Sequence, residues 1–246
     1  MGASKDRLEL TIDVLNKPEQ HALALADLTP EELIAATLQE FSEIEYLGID
    51  PADYRLMNAG TGKELDGSQP IHTQLSNKDS VKLAERERPV PSGGHRPATA
   101  IYLREMASGR VFKLHWLPAI IGRPDRNLPD NQLLAANLEM LPSGLRVSRR
   151  HAMIGEQNGQ YFVQCLSGNP ATLRCPNGET RQLTTARVPI SSEDVLYLDR
   201  SEIALKLIVL SGSAKQPAAT PAETGTTDAA TVPGEAGVGD NSTAST

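Results

Sequence analysis

The stretch at residues 85–97 constrains the fold most, because it divides the chain into two segments with different periodicities. It reads Glu-Arg-Glu-Arg-Pro-Val-Pro-Ser-Gly-Gly-His-Arg-Pro, charged at first and then rich in Pro and Gly, without apolar periodicity. A chain of 246 residues has room for two small domains. We therefore predict a multidomain protein with one domain at residues 6–88, a linker at 89–97 and a second domain at 98–210.

The end of the chain has a third composition. Residues 211–246 consist mostly of Ala, Thr, Gly, Pro and Ser, with almost no large apolar side chain. Such a segment buries too little surface to offset the entropy lost on ordering. We predict a disordered tail at 211–246.

The first segment combines strand and helix patterns. Residues 7–14 alternate with period two, as a half-buried strand does, and a weaker strand is predicted at 22–28 after a turn at 16–19. Thr29-Pro30-Glu31-Glu32 is typical of a helix start with a capping box. Short strands follow at 54–57 and 81–83. This order predicts an α+β fold of the β-grasp type.

A resemblance supports that fold. Residues 55–66, Leu75 and residues 78–83 resemble the second half of ubiquitin, and more closely the small ubiquitin-like proteins of bacterial type VII secretion loci. The resemblance implies a ubiquitin-like domain that binds a second protein. Gly93-Gly94 also allows a modifier precursor that is cleaved after Gly94, although a pair of linker glycines is the favoured interpretation.

The second segment predicts only strands. Seven short apolar runs are separated by turn signals, at 101–106, 111–116, 119–122, 152–155, 161–165, 195–198 and 203–210. Asn158-Gly159 is a strong hairpin signal. Residues 133–136 are interpreted as a possible helical turn. The regular spacing predicts an all-β sandwich.

Three loop motifs lie at the ends of these strands. Ile120-Ile121-Gly122-Arg123 ends one strand, Val147-Ser148-Arg149-Arg150-His151 precedes another, and Leu166-Ser167-Gly168-Asn169 follows a third. In this order they resemble the forkhead-associated (FHA) domain, a phosphothreonine-binding β-sandwich. The resemblance covers residues 98–210.

The resemblance implies a phosphopeptide site. Arg123 corresponds to the phosphate-binding arginine, Ser148 and Arg149 to further phosphate contacts, and Asn169 to the residue that binds the peptide main chain. Arg150 is the alternative to Arg149, since neighbours along a strand point to opposite faces and only one of the two can face the phosphate; Arg149 is the favoured residue. Two further residues, Gly122 and His151, correspond to structural supports of the loops.

The chain departs from the family near Asn169. Gly168 stands where a hydroxyl residue is common, and Pro170-Ala171 replaces the usual Gly-Thr. We therefore expect one secondary loop or phosphate contact to be missing.

Composition excludes several other classes of protein. An isoelectric point near 5.3 and nine aromatic residues argue against nucleic-acid binding, and no apolar run suits a membrane span or a signal peptide. Two cysteines without ligand spacing predict neither a disulfide framework nor a metal site. No catalytic or cofactor-binding motif is visible. We expect a cytoplasmic protein without enzymatic activity, cofactor or metal.

Charge also differs between the segments. Residues 1–89 hold 17 acidic and 9 basic residues, whereas residues 90–210 hold 14 basic and 10 acidic ones. The second domain is therefore the one suited to an anion. The sequence predicts a phosphothreonine-dependent adaptor; the alternative is a secretion-associated structural component whose FHA-like domain docks proteins without phosphate.

Overall fold

The computed structural model describes residues 6–128 and 131–210, so the predicted tail at 211–246 lies outside the described residues. The described residues form one α-helix, three short 3-10 helices and fifteen strands, and they belong to one compact unit. The sequence order divides these elements into a β-grasp domain and a β-sandwich.

The β-grasp domain is a four-stranded sheet packed against one helix. Its elements are β1 (Arg7–Val14), β2 (Lys17–Leu25), α1 (Pro30–Glu40), β3 (Tyr54–Asn58) and β4 (Ser80–Glu85). The sheet order is β2-β1-β4-β3, with β1 and β4 parallel and the other neighbours antiparallel. The predicted strand at 7–14 is confirmed.

The predicted second strand and turn are displaced. The strand covers Lys17–Leu25 instead of 22–28, and the turn is formed by Leu15, with φ of 50°, and Asn16. Pro18 suggested a turn in the sequence. It is accommodated because β2 is an edge strand, where a missing backbone N–H does not interrupt a ladder.

Helix α1 begins where the sequence predicts. The Glu32 N–H donates to Thr29 Oγ1 at 3.3 Å, and the Thr29 N–H donates to Glu32 Oε2 at 2.8 Å. This capping box satisfies two of the backbone donors that a helix start leaves free. The helix buries Leu33, Ile34 and Leu38 against the sheet.

The second domain contains two sheets. Its strands are β5 (Ile101–Glu105), β6 (Val111–Lys113), β7 (Ala119–Gly122), β8 (Leu134–Asn137), β9 (Ala152–Gln157), β10 (Gln160–Cys165), β11 (Ala171–Arg174), β12 (Thr180–Gln182), β13 (Val188–Pro189), β14 (Val195–Leu198) and β15 (Ile203–Val209). One sheet has the order β13-β10-β9-β7-β8 and the other β12-β11-β14-β15-β5-β6. Leu103, Ile121, Ile154 and Leu205 are among the fully buried side chains of the sandwich core.

Strand β8 replaces the predicted helical turn at 133–136. It runs parallel to β7, with Ala136 beside Ile121 and Asn137 beside Gly122. The Leu138 N–H donates to the Gly122 carbonyl at 2.8 Å. Pairing with a neighbouring strand gives the backbone N–H and C=O groups of this short segment more hydrogen-bond partners than a single isolated helical turn would. The hairpin at Asn158-Gly159 is confirmed, with both residues at positive φ.

The two domains are in direct contact. Lys206 of the sandwich binds Glu45 of the β-grasp domain at 2.8 Å, and Lys113 binds Glu85 at 2.7 Å. The rings of Tyr46 and Tyr102 lie 5.4 Å apart. A small apolar cluster of Tyr102, Val111 and Ile208 covers this side of the sandwich, separate from the two main cores.

The predicted linker is held by hydrogen bonds. His95 exchanges two backbone hydrogen bonds with Leu117, at 2.9 and 2.8 Å, and Arg96 binds Glu87 at 2.6 Å. The Gly94 N–H donates to Pro91 at 3.0 Å, in a turn that Gly93 makes at φ of 80°. The diglycine therefore lies in a folded turn, which does not favour a cleavage site after Gly94.

The described ranges contain no helix that is long and apolar enough to cross a membrane.

Candidate functional site

Three adjacent strands bring the three sequence motifs to the same end of the sandwich. Strand β9 lies between β7 and β10 and is antiparallel to both. Ala152 pairs with Ile121 on one side and with Cys165 on the other. The end of β7, the start of β9 and the end of β10 are therefore level with each other. The loops that carry Arg123, Ser148 and Asn169 leave the sheet at this end of the strands, which we call the loop end.

Gly122 allows two of these loops to pack closely. A Cβ atom at Gly122 would lie 2.7 Å from the Ser148 carbonyl oxygen and closer still to that of Arg149. The Arg123 N–H donates to the same Ser148 carbonyl at 3.2 Å. Only glycine permits this approach of backbone to backbone. The predicted supporting role of Gly122 thus has a steric basis.

The Arg123 side chain is fixed by the neighbouring loop. Its Nε donates to the Val147 carbonyl at 2.6 Å, and the side chain is half-buried. Within the described ranges no carboxylate pairs with its guanidinium. The terminal nitrogens therefore retain donors for an incoming anion.

Ser148 and Asn169 contact each other. The Asn169 Nδ2 donates to Ser148 Oγ at 2.8 Å, so the hydroxyl hydrogen of Ser148 and the amide oxygen of Asn169 remain available. Ser167 supports this pair, because its Oγ accepts from the Asn169 N–H at 3.3 Å. The sequence has Gly168 where the family commonly has a hydroxyl, and a missing loop contact was therefore expected; in the structure, the Ser167 hydroxyl makes a contact with the Asn169 backbone from one residue earlier.

His151 holds the loops together from inside. Its backbone N–H donates to Ile121 at 2.9 Å, and its carbonyl accepts from the Leu166 N–H at 2.8 Å. The ring is buried, and Nδ1 accepts from the Ser148 N–H at 3.4 Å. Burial lowers the pKa of the His151 imidazole, which keeps it neutral. These contacts suit the predicted structural role.

Arg149 and Arg150 differ in exposure and in partners. Arg149 is exposed and pairs with Asp125 at 3.4 Å, whereas Arg150 is half-buried. Sequence reasoning missed Asp125, which has no recognisable motif around it. This weak ion pair holds the Arg149 side chain beside the loop that follows β7. Thr172 faces elsewhere, since its hydroxyl donates to Asp199 at 3.1 Å.

The side chains at the loop end can donate several hydrogen bonds to one ligand. A fixed guanidinium, a hydroxyl and a primary amide offer several hydrogen-bond donors to an oxyanion. In the part of the chain that the structure describes, no group of His, Cys, Asp and Glu is arranged for a metal ion, and Cys165 and Cys175 are free thiols.

Comparisons with known proteins give a likeness at the level of the fold. No family model and no curated protein matches the chain. Among solved structures, the FHA domain of human APLF in complex with an XRCC1 bisphospho peptide is 20% identical, with a TM-score of 0.35, covering 45% of this chain and 99% of that one. Mycobacterium tuberculosis EmbR in complex with a low-affinity phosphopeptide is 21% identical, with a TM-score of 0.35, covering 48% of this chain and 27% of EmbR.

The other part of the chain has different neighbours. Caldiarchaeum subterraneum ubiquitin is 12% identical, with a TM-score of 0.27, covering 34% of this chain and 98% of that one. Solved FHA domains and ubiquitin-like proteins are thus both among the structures similar to this chain, as the sequence motifs predict.

Proposed function

We propose that this chain is a non-enzymatic cytoplasmic adaptor whose sandwich binds phosphothreonine on one partner and whose β-grasp domain binds a second protein. The observation that carries the proposal is the arrangement at the loop end. The Val147 carbonyl holds the Arg123 guanidinium, and the pair Ser148 and Asn169 lies in the adjacent loops.

This arrangement suits a phosphate monoester. Phosphothreonine carries a charge of about −1.5 to −2 and three strong acceptor oxygens. Arg123 supplies planar charge-assisted donors, and Ser148 adds a short hydroxyl donor. The Asn169 amide offers both a donor and an acceptor, which suits the main chain of a bound peptide.

The loops are also ordered before a ligand arrives. Arg123, Ser148 and Asn169 each have a hydrogen bond within or between loops. Groups that are already oriented lose less entropy on binding, so more of their interaction energy contributes to affinity.

The β-grasp domain has a surface suited to a second partner. Strand β2 is an edge strand, and Leu23 on it is 61% exposed. A free strand edge can pair with an extended segment of another protein.

The function is tested by replacing Arg123. With a phosphothreonine peptide selected from a library randomised around a fixed phosphothreonine, Arg123→Ala should lose about 2–5 kcal/mol of binding free energy, because the phosphate loses its charged donor. Titration calorimetry of the full chain measures this loss.

Arg187→Ala is the matched control. Arg187 contacts Gln157 at 2.7 Å, at the opposite end of β9 from the loop end, and the substitution changes the net charge equally. Equal affinities of the two variants would overturn the assignment of Arg123. Equal binding of phosphorylated and dephosphorylated peptide would instead favour docking without phosphate.

A further inference from the structure

A cleft of about 370 Å³ lies between the sandwich and the β-grasp domain. Its volume falls within the range of about 300–1,000 Å³ that is typical of ligand pockets. The sandwich wall comes from β5, β6, β8 and the turns beside them. Its apolar side chains are Val111, Phe112, Leu134, Ala135 and Met140, and they lie among the polar residues Tyr102, Arg110, Lys113, His115 and Asn137.

The β-grasp wall is polar and largely neutralised. Arg88 pairs with Asp53 at 2.8 Å, both on this domain, and Glu85 pairs with Lys113 of the sandwich at 2.7 Å. Arg110 lies at the sandwich side of the cleft, 5.4 Å above the Phe112 ring, and pairs with no carboxylate of the described residues. The cleft thus combines a group of apolar side chains on the sandwich with one cation, Arg110, that no carboxylate of the described residues neutralises.

The cleft begins beside the loop that carries Arg123. Asn137 lines it and is the partner of Gly122 in the parallel pairing of β8 with β7. Neighbouring strands are about 4.8 Å apart, and Arg123 follows Gly122 directly. Met140 continues from Asn137 along the same wall.

Arg110 lies at the same end. Its carbonyl accepts from the Glu105 N–H at 2.7 Å, and Glu105 pairs with Leu205 near the start of β15. The start of β15 adjoins the loop end. Ser143 lies in the connection between β8 and β9 that also carries Ser148, and its hydroxyl donates to the carbonyl of Ser201, two residues before β15, at 2.5 Å. An extended peptide advances about 3.3 Å per residue, so a few residues suffice to pass from Arg123 into the cleft.

We infer that the cleft continues the phosphothreonine site and holds an extended segment of the same partner, with an apolar side chain against Phe112 and Met140 and an acidic group at Arg110. This inference rests on the proposed function. It makes the β-grasp domain one wall of the peptide site, so that both domains select the phosphorylated partner.

Peptide length and a substitution at Met140 test this. The probes are a 17-residue phosphothreonine peptide, selected from a library for binding to the full chain, and its seven-residue core centred on the phosphothreonine. Fluorescence anisotropy should show the long peptide binding about tenfold or more tightly than the core, since burying one apolar side chain gives a change of at least this order.

Met140→Glu should abolish the tighter binding of the 17-residue peptide and leave the affinity for the seven-residue peptide unchanged. Met140 is 77% exposed, so the variant should fold. Leu23→Glu is the matched control. Leu23 is 61% exposed and lies on β2, whereas β3 is at the other edge of the same β-grasp sheet. This variant should retain the full gain in affinity.

Several outcomes would overturn the inference. The first is that the wild type binds the two peptides with equal affinity. The second is that Met140→Glu still binds the 17-residue peptide more tightly. The third is that the longer peptide binds more tightly only after removal of residues 211–246, which would assign the cleft to the chain's own tail. Failure of the proposed function is distinguishable, because the core peptide would then bind independently of its phosphate and of Arg123.

Discussion

Gly122 determines how closely the Arg123 and Ser148 loops approach each other. Its position between β8 and β9 leaves no space for a side chain, since the Ser148 and Arg149 carbonyl groups occupy it. Any larger residue must displace the loop that carries Ser148. The residue with no side chain therefore sets the distance between the loops that carry Arg123 and Ser148.

Gly122→Ala should destabilise the sandwich by about 1–3 kcal/mol, the usual cost of adding a methyl group to a packed site, and should weaken phosphopeptide binding. Denaturant unfolding monitored by Trp116 fluorescence, together with calorimetry, measures both effects.

Gly67→Ala provides the comparison, because a Cβ at Gly67 meets no atom within 4 Å. If Gly122→Ala unfolds and binds like Gly67→Ala, the close approach is not required.

The individual residues of the site were predicted unequally well. Arg123, Ser148 and Asn169 stand in motifs at strand ends, and the structure brings them to one edge; their contacts with phosphate stay a prediction. Asp125 and the Val147 carbonyl were missed. Their contribution depends on the loop conformations that bring Asp125 to Arg149 and Val147 to Arg123, and sequence spacing alone does not specify those conformations.

At the scale of elements, the capping box decides where α1 begins. Thr29→Ala should reduce the local stability of α1 by about 0.5–2 kcal/mol, because the Glu32 N–H loses its acceptor. Hydrogen exchange of the α1 backbone amides in the full chain measures this loss.

Glu32→Ala and Glu31→Ala make a matched pair in the same helical turn. Glu32 accepts from the Thr29 N–H at 2.8 Å, whereas Glu31 is exposed and takes no part in the box. Glu32→Ala should therefore speed exchange more than Glu31→Ala. Equal rates would show that only the charge near the helix start matters.

Elements with a periodic or apolar pattern were predictable, and strands without one were not. The alternation at 7–14 and the apolar run at 203–210 match β1 and β15 closely. Strands β7 and β14 have only four residues, but they are predicted because they are apolar runs. Strands β8, β12 and β13 contain few large apolar side chains, so the sequence gives no strand signal there. Their structure comes from the neighbouring strand.

At the scale of the whole molecule, His115 links stability to pH. It is 7% exposed and lies near the domain contact, with Nδ1 3.7 Å from Glu87 Oε2. Burial, followed by the charges of Lys113 and Arg88, lowers the pKa of His115 from 6.5 to about 4. The unfolded chain therefore binds a proton at His115 at a higher pH than the folded chain does.

Stability from His115 should be fully present above pH 6.5 and lost as pH falls from 6.5 to about 4. The pKa difference corresponds to about 3 kcal/mol. The free energy of unfolding, measured with denaturant at pH 7.5 and at pH 4.5, should differ less between the two pH values for His115→Gln than for the wild type.

His21→Gln controls for the loss of a histidine, because His21 is exposed on β2. It should keep the pH dependence of the wild type. An unchanged dependence in His115→Gln would contradict the assignment to His115.

The contact between the domains could not be predicted from the sequence. Glu45 and Lys206 are 161 positions apart, and each resembles an ordinary surface residue. Separate patterns indicated separate cores, and the structure has them. The shared cleft arises only when the β-grasp domain covers one side of the sandwich.

The direction of β15 has a practical consequence for measurement. The strand starts beside the loop end and runs for seven residues, about 23 Å, to Val209, after which the Leu210 N–H donates to Ala100 at 3.0 Å. A fluorophore, affinity tag or sensor surface joined through the chain after Leu210 is thus attached at the opposite end of this strand from the binding loops. The proposed binding of phosphorylated partners is therefore best measured with the protein immobilised through its C-terminal side.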